Sequence, residues 1–192
     1  MRPAVPRIPP DAPRLTIPDE GIGDATVLLR VPVVDDVDAM LQAFNDPEIA
    51  DAGNLPQRVT RDQAVATLPH LPALAAAGRL LPLVAVDRAT GSVVGGGTLH
   101  HLDAERSIIE IGYWMLPVAR RRGIATRVAR LLAEHAFSLG IERVAAYVNV
   151  GNEASERVLE RAGFTREGVV RSMPKPDGRR VAKTLFSLLP GE

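Results

Sequence analysis

The chain has 192 residues, 46% apolar and 4% aromatic, with 23 Lys+Arg against 23 Asp+Glu. That length suits one domain with a substantial core, and the even charge argues against a general nucleic-acid or polyanion surface. Without cysteine it has no disulfide, thiolate metal site or cysteine nucleophile, and no apolar run approaches the roughly 20 residues of a membrane span.

The elements follow in chain order. Prolines at 3, 6, 9, 10 and 13 predict an extended segment over residues 1–14 with no hydrophobic signal core, so a cytoplasmic protein is the expectation. Residues 15–192 form the domain. Residues 26–30 read as a short strand and 35–45 as a helix, whereas 46–60 carry no readable motif. Thr60 is placed to cap a second helix toward Leu68, and Pro69 and Pro72 must bend or interrupt its continuation over 73–77. Residues 80–86 and 92–102 predict a hairpin turning at 87–91. Gly95, Gly96 and Gly97 lie inside that strand pattern, and no Gly-Lys-Ser/Thr follows any glycine run, so dinucleotide and P-loop fingerprints fit poorly.

Residues 108–116 are rich in β-branched and aromatic side chains and predict a strand, which Pro117 ends. From Ile124 the apolar positions Val128, Leu131, Leu132, Ala136 and Leu139 fall at helical spacing, and Gly140 stops the helix. A strand over 143–148 follows, then a helix through Ala162 whose cap is Asn152. The last strands are 165–171 and 181–189, separated by the turn signal Pro174-Lys-Pro-Asp-Gly178. This α/β order suits a mixed sheet with helices on both faces.

Between the strand at 108–116 and the helix at Ile124 lies Leu116-Pro-Val-Ala-Arg-Arg-Arg-Gly-Ile-Ala-Thr126. Small residues at a helix start leave its unpaired N–H groups open to an anion. The dipole adds about 0.3–1 kcal/mol. Arg120, Arg121 and Arg122 read equally well as a solvated basic turn. The second constellation, Asn149-Val-Gly-Asn-Glu-Ala-Ser155, opens the next helix, which ends at Gly163-Phe164. Strand, Arg-x-x-Gly-x-Ala, helix, strand, Asn-x-x-Asn-x-x-Ser, helix is far more specific than either half.

With those motifs, and with Ile111-Gly-Tyr-Trp-Met-Leu116, Glu160-Arg-Ala-Gly-Phe164, Glu167-Gly-Val-Val-Arg171 and Leu185-Phe-Ser-Leu-Leu189, the chain resembles the GCN5-related N-acetyltransferase (GNAT) superfamily. Within it the chain is similar to the RimJ/RimL-like ribosomal-protein N-terminal acetyltransferases, over residues 15–189. The resemblance implies an α/β (α+β) fold of one domain, with a mixed central sheet, helices on both faces and two splayed parallel strands. It implies acetyl-CoA as co-substrate, no metal, direct transfer to a primary amine on a peptide N-terminus or small molecule, and a homodimer. It puts pantetheine along the backbone of Leu116 and Val118. The pyrophosphate falls on the N–H groups of Arg121, Arg122, Gly123, Ile124, Ala125 and Thr126, with the Thr126 hydroxyl beside it. A backbone N–H near Met115 or Leu116 is the oxyanion donor.

Aminolysis of a thioester needs an uncharged amine, and an α-amino group near pKa 7.7–8 needs less help than a lysine near 10.4. Glu110, the one carboxylate in its apolar strand, shares a face with Gly112 and Trp114. It is the candidate base, against the alternative of a sheet residue paired with an arginine. Ser155 reads as proton donor to the CoA thiolate or as a capping hydroxyl, and Asn152 as pantetheine contact, cap or both. Tyr147, Tyr113 and Trp114 read as packing or cleft wall. Strand alternation allows at most one of His100 and His101 to line the acceptor side. The basic stretch Gly178-Arg-Arg-Val-Ala-Lys183 stands where RimJ/RimL-like chains often carry an acid. A CoA-binding sensor without catalysis, and the same fold using succinyl-CoA, are the alternatives; the latter wants a cation beyond the thioester.

Overall fold

Between residues 22 and 188 the chain forms eight strands: β1 (Ile22–Gly23), β2 (Val27–Arg30), β3 (Leu80–Asp87), β4 (Val93–Asp103), β5 (Ile108–Met115), β6 (Arg143–Asn149), β7 (Thr165–Pro174) and β8 (Arg180–Leu188). The structure is a computed structural model that describes residues 14–53, 55–175 and 177–192. All but one residue of the extended segment expected at 1–14 lies outside those residues. The strands make one sheet in the order β1-β2-β3-β4-β5-β6-β8-β7. Every neighbouring pair is antiparallel except β5 and β6, which are parallel.

Among the described residues the six α-helices are α1 (Val37–Phe44), α2 (Pro47–Gly53), α3 (Arg61–Thr67), α4 (Leu71–Ala76), α5 (Ile124–Ser138) and α6 (Glu153–Arg161). Thr60 caps α3 as predicted, its Oγ1 accepting from Gln63 N at 3.3 Å while Gln63 Oε1 accepts from Thr60 N at 2.9 Å. The prolines divide the expected second helix, because α3 ends at Thr67, a 3-10 turn spans Leu68–His70, and α4 restarts with Pro72 in its first turn. The α2 helix had no sequence signal. Strand β7 runs further than expected, to Pro174, by absorbing two register shifts against β8.

Period-two alternation on β5 assigns the two faces of the sheet. Ile109 and Ile111 belong to the main core with Val128, Leu132 and Ala136 of α5, and Trp114 packs on the other face with Ala43 of α1 and Ile49 of α2. Each fully buried Val, Leu or Ile of α5 contributes about 1.5–3 kcal/mol. The triple glycine in β4 lets both layers approach. A Cβ on Gly97 would lie 2.7 Å from Leu132 Cδ1, and one on Gly96 would lie 2.6 Å from Trp114 Nε1 and 2.7 Å from the Leu83 carbonyl. Gly96→Val is therefore expected to cost about 1–3 kcal/mol through overpacking. A thermal melt should show Tm falling by about 2–4 °C per kcal/mol; an unchanged Tm would contradict this packing.

Candidate active site

Pairing of β5 with β6 stops at Ile111↔Ala146, although the strands run on to Met115 and Asn149. Each is held instead by its outer neighbour. Strand β5 stays registered with β4 as far as Gly95↔Met115, and β6 with β8 as far as Asn149↔Lys183. The two strands thus part, and a cavity of about 1160 Å3 opens there, lined from β4, β5, β6, β8 and α6. Leu116 N–H donates to the Val94 carbonyl at 3.0 Å, so the alternation of antiparallel pairs turns the polar groups of Tyr113 and Met115 the other way, into the gap. Of the two oxyanion donors expected from sequence, the one on Leu116 is already occupied; the one on Met115 is available.

Beyond β5 a 3-10 turn (Pro117–Ala119) leads to Gly123, which caps α5 at φ 74° in the left-handed region. Among the described residues, no N–H of residues 121–126 donates a hydrogen bond, and the first donor of the helix is Arg127, to the Gly123 carbonyl. Six consecutive N–H groups without a partner lie at the positive end of a 15-residue helix, an arrangement with the chemistry to accept an anion. The arginines divide their tasks. Arg122 Nη2 donates to Asp87 Oδ2 at 2.6 Å, tying this run to the β3–β4 turn, and Arg120 lies 3.5 Å from Glu48. Arg121, at φ 60°, has no side-chain partner among the described residues. Val118 is exposed. None of Leu116, Val118 or residues 121–126 lines the cavity, whereas Glu110, Asn152 and Ser155 all do.

On the α5–α6 face, Asn152 caps α6 by accepting from Ser155 N at 3.1 Å. The Ser155 hydroxyl lies 2.7 Å from Tyr113 Oη. Burial pushes the Tyr113 phenol up to about 12 despite that hydrogen bond, so the pair keeps its protons at neutral pH. From the sequence alone Tyr113 reads as packing or cleft wall. Its partner stands 42 residues away, and only the fold brings them together.

On the opposite face, Glu110 sits across from His100 in the β4–β5 register. Its Oε2 lies 3.5 Å from His100 Nε2 and 3.3 Å from His101 Nδ1. Both imidazoles line the cavity, which corrects the alternation argument. The ladder shifts register between His100 and Asp103, and His101 adopts φ 53°, so a bulge turns consecutive side chains to one side. Among the described residues no arginine pairs with Glu110. Burial pushes its carboxyl up, but hydrogen bonds from His100 and His101 outweigh this and bring it down to about 2. Glu110 in turn raises His101 above its ordinary value by hydrogen bonding, against the effect of burial. The three donor atoms lie within 4.8 Å of one another, close enough to share a cation, though each already has a partner in the cluster.

The basic run of the β7–β8 hairpin resolves into distinct roles. Arg179 pairs with Asp177 and with Asp51 of α2, and Arg180 donates to Ser172. Lys175, buried, donates to Asp51, whose Oδ2 accepts from Asn149 at 3.3 Å. This clamp fastens α2 over the hairpin. Lys183 is only 3% exposed and lines the cavity. Burial lowers its pKa, as does the charge of Lys175, with Glu110 and Asp51 opposing.

A family model described as "Acetyltransferase (GNAT) domain" matches residues 26–165. The chain is 29% identical over 164 residues to YoaA of Bacillus subtilis, named as an uncharacterized N-acetyltransferase, covering 85% of this chain and 93% of YoaA. Two solved structures share the fold. RimJ of Mycobacterium smegmatis, in complex with CoA-disulfide, superposes with a TM-score of 0.73 at 24% identity, over 85% of this chain and 82% of that one. The microcin C7 self-immunity acetyltransferase MccE, in complex with acetyl-CoA and AMP, gives 0.76 at 20% identity, over 92% and 98%. No helix among the described residues is long and apolar enough to cross a membrane.

Proposed function

This chain belongs to the GNAT acetyltransferase family, and on that premise we propose that it moves the acetyl group of acetyl-CoA directly to a primary amine. The observation that carries the reading is the run of six unpaired N–H groups at 121–126 beside a gap between parallel strands. The CoA diphosphate lies on that run, with Thr126 Oγ1 beside it. Pantetheine passes Val118 and Leu116 and enters the gap, where Asn152 and the outward polar groups of β5 meet its amides.

The amine nitrogen attacks the thioester carbonyl carbon and the C–S bond breaks. The Met115 N–H stabilises the developing oxyanion. The departing thiolate takes a proton from Ser155 Oγ as Tyr113 Oη passes its own proton to Ser155, and the phenolate, a strong base, at once regains a proton from water entering as CoA leaves. The proton lost by the amine goes to the Glu110–His101 pair. A carboxyl held near 2 is too weak a base to keep it, so Glu110 fixes the Nδ1–H tautomer of His101 and the free Nε2 accepts the proton. The acceptor is a peptide N-terminal amine or a small amine.

Isothermal titration with acetyl-CoA, followed by an acyl-donor screen crossed with an amine panel, tests this. Binding with N-acetylated product is the expected result; binding with thioester hydrolysis alone would replace the enzyme by a sensor. Ser155→Ala and Tyr113→Phe should each lower kcat, by about 10-fold or more, with acetyl-CoA affinity unchanged. The double variant should be little worse than Ser155→Ala, since the two hydroxyls act in series. Fully multiplicative losses would separate them.

A further inference from the structure

Three cations besides the histidines line the cavity: Arg79, Lys175 and Lys183. Arg79 is exposed and Lys175 is neutralised by Asp51. Lys183 has neither escape. The residue keeps only 3% exposure and has no hydrogen bond or ion pair among the described residues, and its Nζ opens onto the cavity rather than being sealed from it. Isolated buried charge is costly, so buried lysines are almost always paired. Lys183 lines the cavity without such a partner among the described residues.

Strand alternation says which compartment it serves. Lys183 pairs with Asn149 across β6–β8, and Leu185 pairs with Tyr147. These residues share the face of Ala145, which lies opposite Glu110 across β5–β6. The other β8 residues, Thr184 and Phe186, turn toward α6 and the main core. Lys183 therefore stands with Glu110 on the acceptor side of the gap, not with Ser155 and Tyr113 on the thioester side. One ammonium balances one negative charge, and the nearby Glu110 carboxylate disfavours a dianion.

We infer that the acceptor is a primary amine bearing a carboxylate, which Lys183 holds while the amine faces the Glu110–His101 pair. This rests on the acetyltransferase reading and names its substrate class. Two sources supply such a group, a free amino acid and a peptide with an acidic first residue.

The test compares matched acceptors in the full chain with acetyl-CoA: glycine with glycinamide, alanine with alaninamide, and C-terminally amidated peptides beginning with Glu with those beginning with Gln. The carboxylate-bearing member of a pair should be preferred by about 10–100-fold in kcat/KM. Lys183→Met should erase that preference mainly through KM, leave acetyl-CoA affinity and turnover of the neutral member unchanged, and raise Tm by removing an unpaired buried charge. Lys183→Arg should keep much of the preference, because a guanidinium also holds a carboxylate. Equal use of both members by the wild type, or equal losses on both in Lys183→Met, would overturn the inference and leave the acetyltransferase reading intact. A preference for succinyl-CoA over acetyl-CoA that Lys183→Met abolishes would also overturn it, by giving the lysine to the donor. If no amine is acetylated, calorimetry of glutamate into the CoA-saturated protein still decides. Lys183-dependent binding would support the carboxylate site while the acetyltransferase reading fails, and no binding would sink both.

Discussion

Gly123→Asp should weaken acetyl-CoA binding by about 100-fold or more, read by isothermal titration. Two effects act together. The new carboxylate sits at the mouth of the N–H run 121–126, where it repels the diphosphate and competes for its donors. Losing even one or two charge-assisted hydrogen bonds of about 1.5–3 kcal/mol each accounts for that factor. The second effect is conformational. Gly123 holds φ 74°, which costs a residue with a Cβ about 1–2 kcal/mol. Space is not the issue, because a Cβ there would meet nothing within 4 Å. Gly123→Ala isolates the backbone part and should lower Tm by a similar amount while sparing most of the affinity. Wild-type affinity in Gly123→Asp would remove the diphosphate from this loop.

The second large effect is expected at Glu110. Glu110→Gln should lower kcat by about 100-fold with acetyl-CoA affinity unchanged, and it should also move the pH–rate profile. In the wild type, Glu110 stabilises protonated His101 and raises its pKa above 6.5, so base-form His101 and activity appear only above that raised value. Glutamine removes the negative charge, His101 falls back toward its ordinary value, and the acid limb moves to lower pH. His101→Gln should lower kcat and remove the limb. An acid limb unmoved in Glu110→Gln, with kcat intact, would take both residues out of the proton path.

The two predictions differ in how far the sequence alone led to them. Gly123 and its neighbours were legible because helix starts, glycine caps and their free N–H groups are local properties of a few consecutive residues. Glu110, Asn152 and Ser155 were legible for the same reason, from strand alternation and a first-turn cap. His101 was misjudged because a bulge arises from pairing between strands. Two residues of β4 lie between the pairs His100↔Glu110 and Asp103↔Ile108, against one residue of β5, and nothing in the local β4 pattern announces it. Arg122 looked like part of the anion grip, yet it is spent on Asp87, 35 residues away.

Element order, the mixed sheet with helices on both faces, the run of free N–H groups at 121–126 and the place of Glu110 in its strand were thus determined by the sequence itself, since each depends on spacing within a short stretch. Where the strands part, which hydroxyl meets Ser155, which basic residues are neutralised and which buried lysine is left without a partner among the described residues were decided only by tertiary structure. A charge or a hydrogen-bonding group acquires its chemistry from its partners, and here those partners come from distant segments: Asp51 of α2 takes Lys175 and Arg179 of the hairpin, and leaves Lys183 facing the acceptor.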